Sequence, residues 1–156
     1  MPSMTPELTA DFVSEVLERE GAAWVRAASP SMAPLIQPED QVCLVPAEPA
    51  GVRRGTVIAY RDGDRIIVHR VLATDPRGVV TKGDALADAD GVVGWDRVVG
   101  RVVTIRTPRG RVVRLDVFPR PLIDRALGAL AGLAPRNVLV WGAHRGLFRL
   151  LALLTR

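Results

Sequence analysis

Apolar and polar positions follow two different periods along this chain, a helical one near the beginning and a shorter one through the middle. The apolar positions at helical spacing are Leu8, Phe12, Val16 and Leu17. Thr5-Pro6-Glu7 supplies a capping hydroxyl, a proline for the first turn and an acid, and Gly21 supplies a stop. The pattern predicts one amphipathic helix over residues 6–20.

From residue 22 to residue 117 the chain changes to β-prone runs divided by turn residues, which predicts a mainly β (α+β) fold. The predicted strands are Ala23–Ala28, Gln41–Val45, Thr56–Arg61, Arg65–Ala73, Val79–Lys82, Arg97–Thr107 and Arg111–Val117. Asp62-Gly63 is a hairpin signal between two of these runs, and Pro108-Arg109-Gly110 marks another turn.

The last part of the chain returns to helical spacing, with predicted helices over 121–133 and 137–156. The second carries Arg145, Arg149 and Arg156 on one face and a broad apolar surface opposite, as basic amphipathic helices do. That surface either packs on the β region or a second subunit, or contacts a membrane surface or a partner. The predicted organisation is a helix (1–21), a β-domain (22–118) and a helical tail (119–156).

Composition bounds the class of protein. A chain of 156 residues with 48% apolar and 24% charged residues is an ordinary single domain. Its net charge of +4 is carried by arginine, apart from Lys82, and suits either an acidic partner or a solvated arginine-rich surface. No helix-turn-helix pattern or aromatic platform is present, so we expect no nucleic-acid partner. Cys43 stands alone, which excludes a disulfide within the chain.

Targeting signals are also informative. The beginning of the sequence has no basic start followed by an apolar run, and no uncharged apolar stretch is long enough to span a bilayer. The sequence therefore predicts a cytoplasmic protein, with peripheral membrane contact through residues 137–156 as a further option.

Two short motifs carry candidate chemistry. Ser29-Pro30-Ser31-Met32-Ala33-Pro34 is too rich in proline for regular structure and presents Ser31 from a stiff turn. Ile66-Ile67-Val68-His69-Arg70-Val71 puts His69 on or near a buried strand. A serine hydroxyl and a neutral imidazole are a nucleophile and its base. Taken singly, Ser31 is equally suited to cap a turn and His69 to hydrogen-bond in the core.

A third motif is the acidic segment that runs from Thr81 to Asp90 and contains Asp84, Asp88 and Asp90. Such carboxylates bind a cation, orient a histidine through its far ring nitrogen, or form a solvated loop. The spacing does not match the twelve-residue calcium loop.

The order of these motifs resembles the signal peptidase I superfamily of serine peptidases. The resemblance covers roughly Ala23 to Thr107: Ser-x-Ser-Met-x-Pro, an apolar strand with His-Arg-Val, Lys-Gly-Asp with a later Asp, and a Val-Gly-Arg-Val strand. Many bacterial members have a lysine where His69 stands, whereas the endoplasmic-reticulum, archaeal and spore-former branch has histidine. The resemblance implies the β-fold shared by signal peptidases and self-cleaving repressors, and no metal or cofactor.

The resemblance also implies residue roles. Ser31 is the expected nucleophile, His69 the base, and Asp90 the carboxylate that orients His69. Asp84 is expected to support the site or act as an alternative acid, and the Ser31 N–H with the Ser29 hydroxyl forms the oxyanion hole. The implied partner is a peptide or protein bound in extended form and cleaved after small residues.

Departures from the family pattern concern loops and architecture. Pro30 and Glu39 replace glycines, Thr56 stands where aspartate is common, and an amphipathic helix takes the place of the usual transmembrane anchor. The missing anchor suggests a soluble or surface-bound processing peptidase that trims leader peptides.

Two alternatives remain beside the peptidase. A self-cleaving regulator would cut itself at Ala22-Ala23 or Ala27-Ala28, although about thirty residues before Ser31 leave no room for a DNA-binding domain. A non-catalytic module would use the same fold to bind peptides at a strand edge. Catalysis predicts that Ser31 Oγ lies roughly 2.6–3.2 Å from a ring nitrogen of His69. It also predicts that Asp90, or failing that Asp84, faces the other ring nitrogen.

Overall fold

The computed structural model describes residues 9–116, in which one helix packs on a curled antiparallel sheet. Helix α1 spans Ala10–Glu20. The strands are β1 (Ala23–Arg26), β2 (Gln41–Val45), β3 (Val57–Asp62), β4 (Arg65–Asp75), β5 (Gly78–Lys82), β6 (Val92–Gly94), β7 (Val98–Arg106) and β8 (Val112–Arg114). The mainly β prediction is confirmed, while the predicted helices over 121–133 and 137–156 lie outside the described residues.

Helix α1 begins later than the sequence predicts. Thr9 is extended, and its hydroxyl accepts a hydrogen bond from the Phe12 N–H at 3.4 Å, so Thr9 rather than Thr5 caps the helix. Gly21, with a φ of 72°, ends it as predicted. The inward stripe also differs: Ala10, Val13 and Leu17 are buried, whereas Phe12 is 50% exposed.

The strands run in the order β1-β2-β7-β3-β4-β5-β6, and β8 pairs with β7. One edge of β7 pairs with β2, while the other pairs first with β3 and then with β8. Both predicted turns join hairpins, β3–β4 and β7–β8. The sequence missed β6, which has only three residues and an exposed Val92. The sequence predicted the last strand over Arg111–Val117, whereas β8 spans only Val112–Arg114.

Alternation along β3 and β4 sends neighbouring side chains to two apolar clusters on opposite faces of the sheet. Val57 and Ala59 belong to the cluster beneath α1, and Ile58 and Tyr60 to the second cluster. His69 pairs with Ile58, so His69 lies on the second face. Its neighbour Arg70 therefore points to the first face.

A loop over residues 27–40 carries Ser31 and is closed at its base. The Ala27 N–H donates to the Asp40 carbonyl and the Glu39 N–H to the Ala27 carbonyl, both at 2.8 Å. The buried Asp40 carboxylate accepts from the Gln37 N–H at 2.8 Å. Strand β1 ends at Arg26, two residues before the predicted end, and the loop begins there. Met32 and Ile36 are buried in the core and anchor the loop.

The backbone at Glu39 generates a stability prediction. Glu39 has a φ of 74°, a left-handed conformation that glycine adopts without cost. We expect Glu39→Gly to have a free energy of unfolding roughly 0.5–1 kcal/mol above that of Glu39→Ala, because relief of left-handed strain outweighs the greater chain entropy of glycine. Urea unfolding measures the difference.

The two variants are matched, because both remove the exposed ion pair between Glu39 and Arg26 (3.2 Å). Equal stability, or a more stable alanine variant, would show that the left-handed backbone carries no strain.

Candidate active site

His69 and Asp90 form the central contact of the candidate site. His69 Nδ1 lies 2.6 Å from Asp90 Oδ2, as the sequence analysis predicted for this pair. The side chains are 7% and 23% exposed respectively. A carboxylate that accepts from Nδ1 fixes the proton there, which leaves Nε2 as the basic nitrogen of the neutral ring. Within this pair, His69 has the geometry of a base oriented by an acid.

Asp90 is itself held by Thr81 of β5. The Thr81 hydroxyl donates to Asp90 Oδ2 at 2.6 Å, and the Asp90 N–H donates to the Thr81 carbonyl at 2.7 Å. Because β5 pairs with β4, these bonds fix Asp90 relative to the strand that carries His69.

Tyr60 completes the surroundings of this pair. Its ring meets the His69 ring edge-on, with centroids 6.2 Å apart, and the Arg97 guanidinium lies 5.8 Å from the Tyr60 centroid. Burial, and then the negative charge of Asp90, raise the pKa of Tyr60 to about 12. The phenol is therefore neutral at ordinary pH. Sequence reasoning missed Tyr60, because only the strand register shows that it shares a face with His69.

Asp84 binds Arg70 in a buried ion pair, which gives Asp84 a structural role. Its two carboxylate oxygens accept from Arg70 Nε at 2.8 Å and Nη2 at 2.7 Å, and Arg70 Nη1 donates to the Gly55 carbonyl at 2.9 Å. Both side chains of the pair are completely buried. Of the two carboxylates proposed for His69, Asp90 therefore occupies that position, and Asp84 fastens its loop to β4.

Ser31 lies against the same acidic loop. Its carbonyl accepts from the Ala85 N–H at 2.8 Å, and a Cβ at Gly83 would come within 2.7 Å of that carbonyl oxygen. Glycine at position 83 thus permits the close approach. The Ser31 hydroxyl oxygen accepts from the Ser29 hydroxyl at 3.1 Å.

Residues 83–90 bring the candidate residues into one region. This loop binds Arg70 through Asp84, the Ser31 backbone through Ala85, and His69 through Asp90. The hydrogen bonds described for residues 9–116 include none between the Ser31 hydroxyl and His69, so that contact stays a prediction. Catalytic hydrogen bonds commonly tighten only when substrate binds.

The described residues also bear on other types of functional site. Within 9–116, no group of three or more His, Cys, Asp or Glu side chains is placed to hold a metal ion. Burial raises the pKa of the Cys43 thiol, as expected of a core residue. No helix in this range is both long and apolar enough to cross a membrane. No protein-family model and no curated protein matches the chain.

The pKa of Tyr60 provides a direct test of the site's electrostatics. Tyr60 is the only tyrosine of the chain, so phenolate absorbance near 295 nm follows one group. We expect its titration near pH 12, and at a lower pH in Asp90→Asn, which removes a negative charge. The unfolded chain releases this proton near pH 10, so stability falls as pH rises from about 10 to about 12.

Tyr60→Phe is the control for the stability effect, because it keeps the ring and removes the titrating hydroxyl. A wild-type tyrosine that titrates near pH 10 while the protein is still folded would show that Tyr60 is not buried beside the Asp90 carboxylate.

Asp84 and Asp90 should differ in their effect on stability. Asp84→Asn removes the carboxylate charge that binds the fully buried Arg70 cation, and breaking a buried ion pair in this way costs about 3–5 kcal/mol of unfolding free energy. Asp90→Asn should cost much less, because its partner His69 can remain neutral. Denaturant unfolding of the two variants compares them, and equal losses would show that Asp84 is not the structural carboxylate.

Proposed function

We propose that this protein is a serine endopeptidase similar to the Ser–His branch of the signal peptidase I superfamily. The observation that carries the proposal is the 2.6 Å contact between His69 Nδ1 and Asp90 Oδ2. This contact leaves Nε2 for a serine hydroxyl, and the Ser31 loop is docked on the same segment that holds Asp90. The order of motifs in the sequence supports the same class of enzyme.

In the proposed reaction, His69 Nε2 takes the Ser31 hydroxyl proton while Ser31 Oγ attacks the scissile carbonyl carbon. The ionised Asp90 stabilises the resulting imidazolium without taking its proton. In the resting protein the Ser29 hydroxyl donates to Ser31 Oγ, so the Ser31 proton is available for the histidine. In the proposal the Ser29 O–H turns to the oxyanion once Ser31 Oγ has bonded to the substrate carbon. His69 then passes that proton to the departing amine, and the C–N bond breaks.

The tetrahedral intermediate carries a negative oxygen, which the Ser31 N–H and the Ser29 hydroxyl stabilise as an oxyanion hole. Water then attacks the acyl-enzyme ester, again with His69 as the base, and releases Ser31 and the new carboxylate. Pro30 removes no donor from this arrangement, because the required N–H belongs to Ser31. No metal or cofactor takes part in the proposal.

The proposed substrate is a peptide or leader sequence bound in extended form and cut after small residues. Strand β1 supports this binding mode, because it lies at the end of the strand order and leads directly into the Ser31 loop. Within the described residues β1 has a partner strand on one side only, so its other edge can pair with an extended peptide.

Digestion of a peptide library rich in small residues tests the proposal. We expect wild type to cleave a subset, and Ser31→Ala and His69→Ala each to lower kcat/KM by roughly 10³-fold or more. Mass spectrometry reports the cleavage sites, with anionic vesicles present or absent. Ser14→Ala is the control, because its hydroxyl bonds the Ala10 carbonyl within α1, on a different element.

Cleavage that survives in Ser31→Ala would overturn the assignment of the nucleophile. Incubation of the purified chain alone, followed by mass spectrometry, tests the self-cleaving alternative. An unchanged mass would exclude cleavage at Ala22-Ala23 and Ala27-Ala28. A wild type that binds these peptides without cutting any, with binding unchanged in Ser31→Ala, would favour the non-catalytic module.

A further inference from the structure

We infer that Thr81 is a positioning residue that fixes the Asp90 carboxylate, and through it the orientation of the His69 ring. The inference rests on the proposed peptidase function for its kinetic consequence, but its structural consequence can be measured without any substrate. Neither the spacing of the motifs nor the resemblance assigned a role to Thr81.

Two short contacts of the site, one from Thr81 and one from His69, meet at a single oxygen of Asp90. The Thr81 hydroxyl and His69 Nδ1 each lie 2.6 Å from the same oxygen, Asp90 Oδ2. An ionised carboxylate has no proton, so both neighbours must donate to it. The hydroxyl thereby reinforces the tautomer in which His69 carries its proton on Nδ1 and keeps Nε2 free to accept. Charge-assisted bonds of this kind are among the stronger ones in proteins.

Burial and strand pairing fix the position of Thr81. Thr81 is completely buried in β5, and it pairs with Val71, two residues beyond His69 on β4. A register irregularity between Val71 and Ala73 follows at once, and such bulges commonly redirect side chains next to sites. The Thr81 carbonyl also accepts the Asp90 N–H at 2.7 Å. Thr81 therefore holds Asp90 by both its backbone and its side chain.

The proposed role of Thr81 depends on the proton of its hydroxyl, and not only on the shape of its side chain. Valine has nearly the shape of threonine and would preserve the backbone bond to Asp90, but it has no proton to donate. In Thr81→Val the carboxylate loses one of its two donors on Oδ2, and the remaining bond to His69 is less constrained. Serine restores the donor without the methyl group.

The test compares Thr81→Val with Thr81→Ser by two readouts. We expect Thr81→Val to lower kcat by roughly ten- to a hundredfold with KM within about twofold, and Thr81→Ser to recover most of that loss. The second readout is the proton NMR signal of His69 Nδ1–H, which a short bond to a carboxylate moves far downfield. We expect this signal in wild type and Thr81→Ser, and its loss or marked upfield shift in Thr81→Val.

Control variants test whether the effects are specific to the Thr81 hydroxyl and whether the NMR signal belongs to His69. Thr104→Val makes the same chemical change on β7, where Thr104 pairs with Cys43, and should leave both readouts unchanged. His69→Gln assigns the NMR signal, since the chain has only two histidines. If Thr81→Val does not fold, Thr81→Ser and Thr81→Ala make the same comparison, because they differ only by the hydroxyl.

Each outcome decides the inference. An unchanged downfield signal in Thr81→Val overturns it, whether or not the protein cleaves peptides. Loss of the signal in a protein with no peptidase activity would support the positioning role and count against the proposed function alone. Equal kcat losses in Thr81→Val and Thr81→Ser would assign the effect to packing and reject the hydroxyl.

Discussion

The buried pair between Arg70 and Asp84 is the interaction on which the rest of the candidate site depends. Arg70 leaves β4 on the face opposite His69 and binds Asp84 through two nitrogens, with both side chains fully buried. The loop that follows β5 is thereby fixed at its beginning, while Thr81 and His69 fix it at Asp90. Asp84 directly precedes Ala85, so the same attachment lies next to the bond from the Ala85 N–H to the Ser31 carbonyl.

This arrangement explains why His69 and Arg70 are adjacent in the sequence. Successive side chains of a strand point to opposite faces, so these two neighbours bind the two ends of the loop over residues 83–90 from opposite faces of β4. Arg70 takes the end that also contacts the Ser31 loop, and His69 takes the end that carries Asp90. Two adjacent residues of β4 thus link the backbone of the Ser31 loop to Asp90.

The sequence predicted those parts of the molecule that depend on local pattern. Alternating runs located seven of the eight strands, while the pairing of His69 with Asp90 was implied only by the resemblance of the motifs to those of signal peptidases. It failed where distant contacts decide. Thr9 caps α1 although Thr5-Pro6 has the better local signature, Phe12 lies outside the buried stripe, and Asp84 meets an arginine that no spacing rule connects to it.

Tyr60 and Thr81 show why the support of such a site is harder to predict than its central residues. Tyr60 lies outside the motifs and Thr81 only begins the acidic segment, and each reaches Asp90 or His69 through the register of β3, β4 and β5. A neutral phenol and a hydroxyl suit this position, since they can lie beside a partly buried carboxylate without adding a second charge that must be compensated. Asp90 is therefore contacted by the His69 imidazole and the Thr81 hydroxyl, with the neutral Tyr60 phenol beside it, and the orientation of the His69 ring depends on contacts that form only after folding.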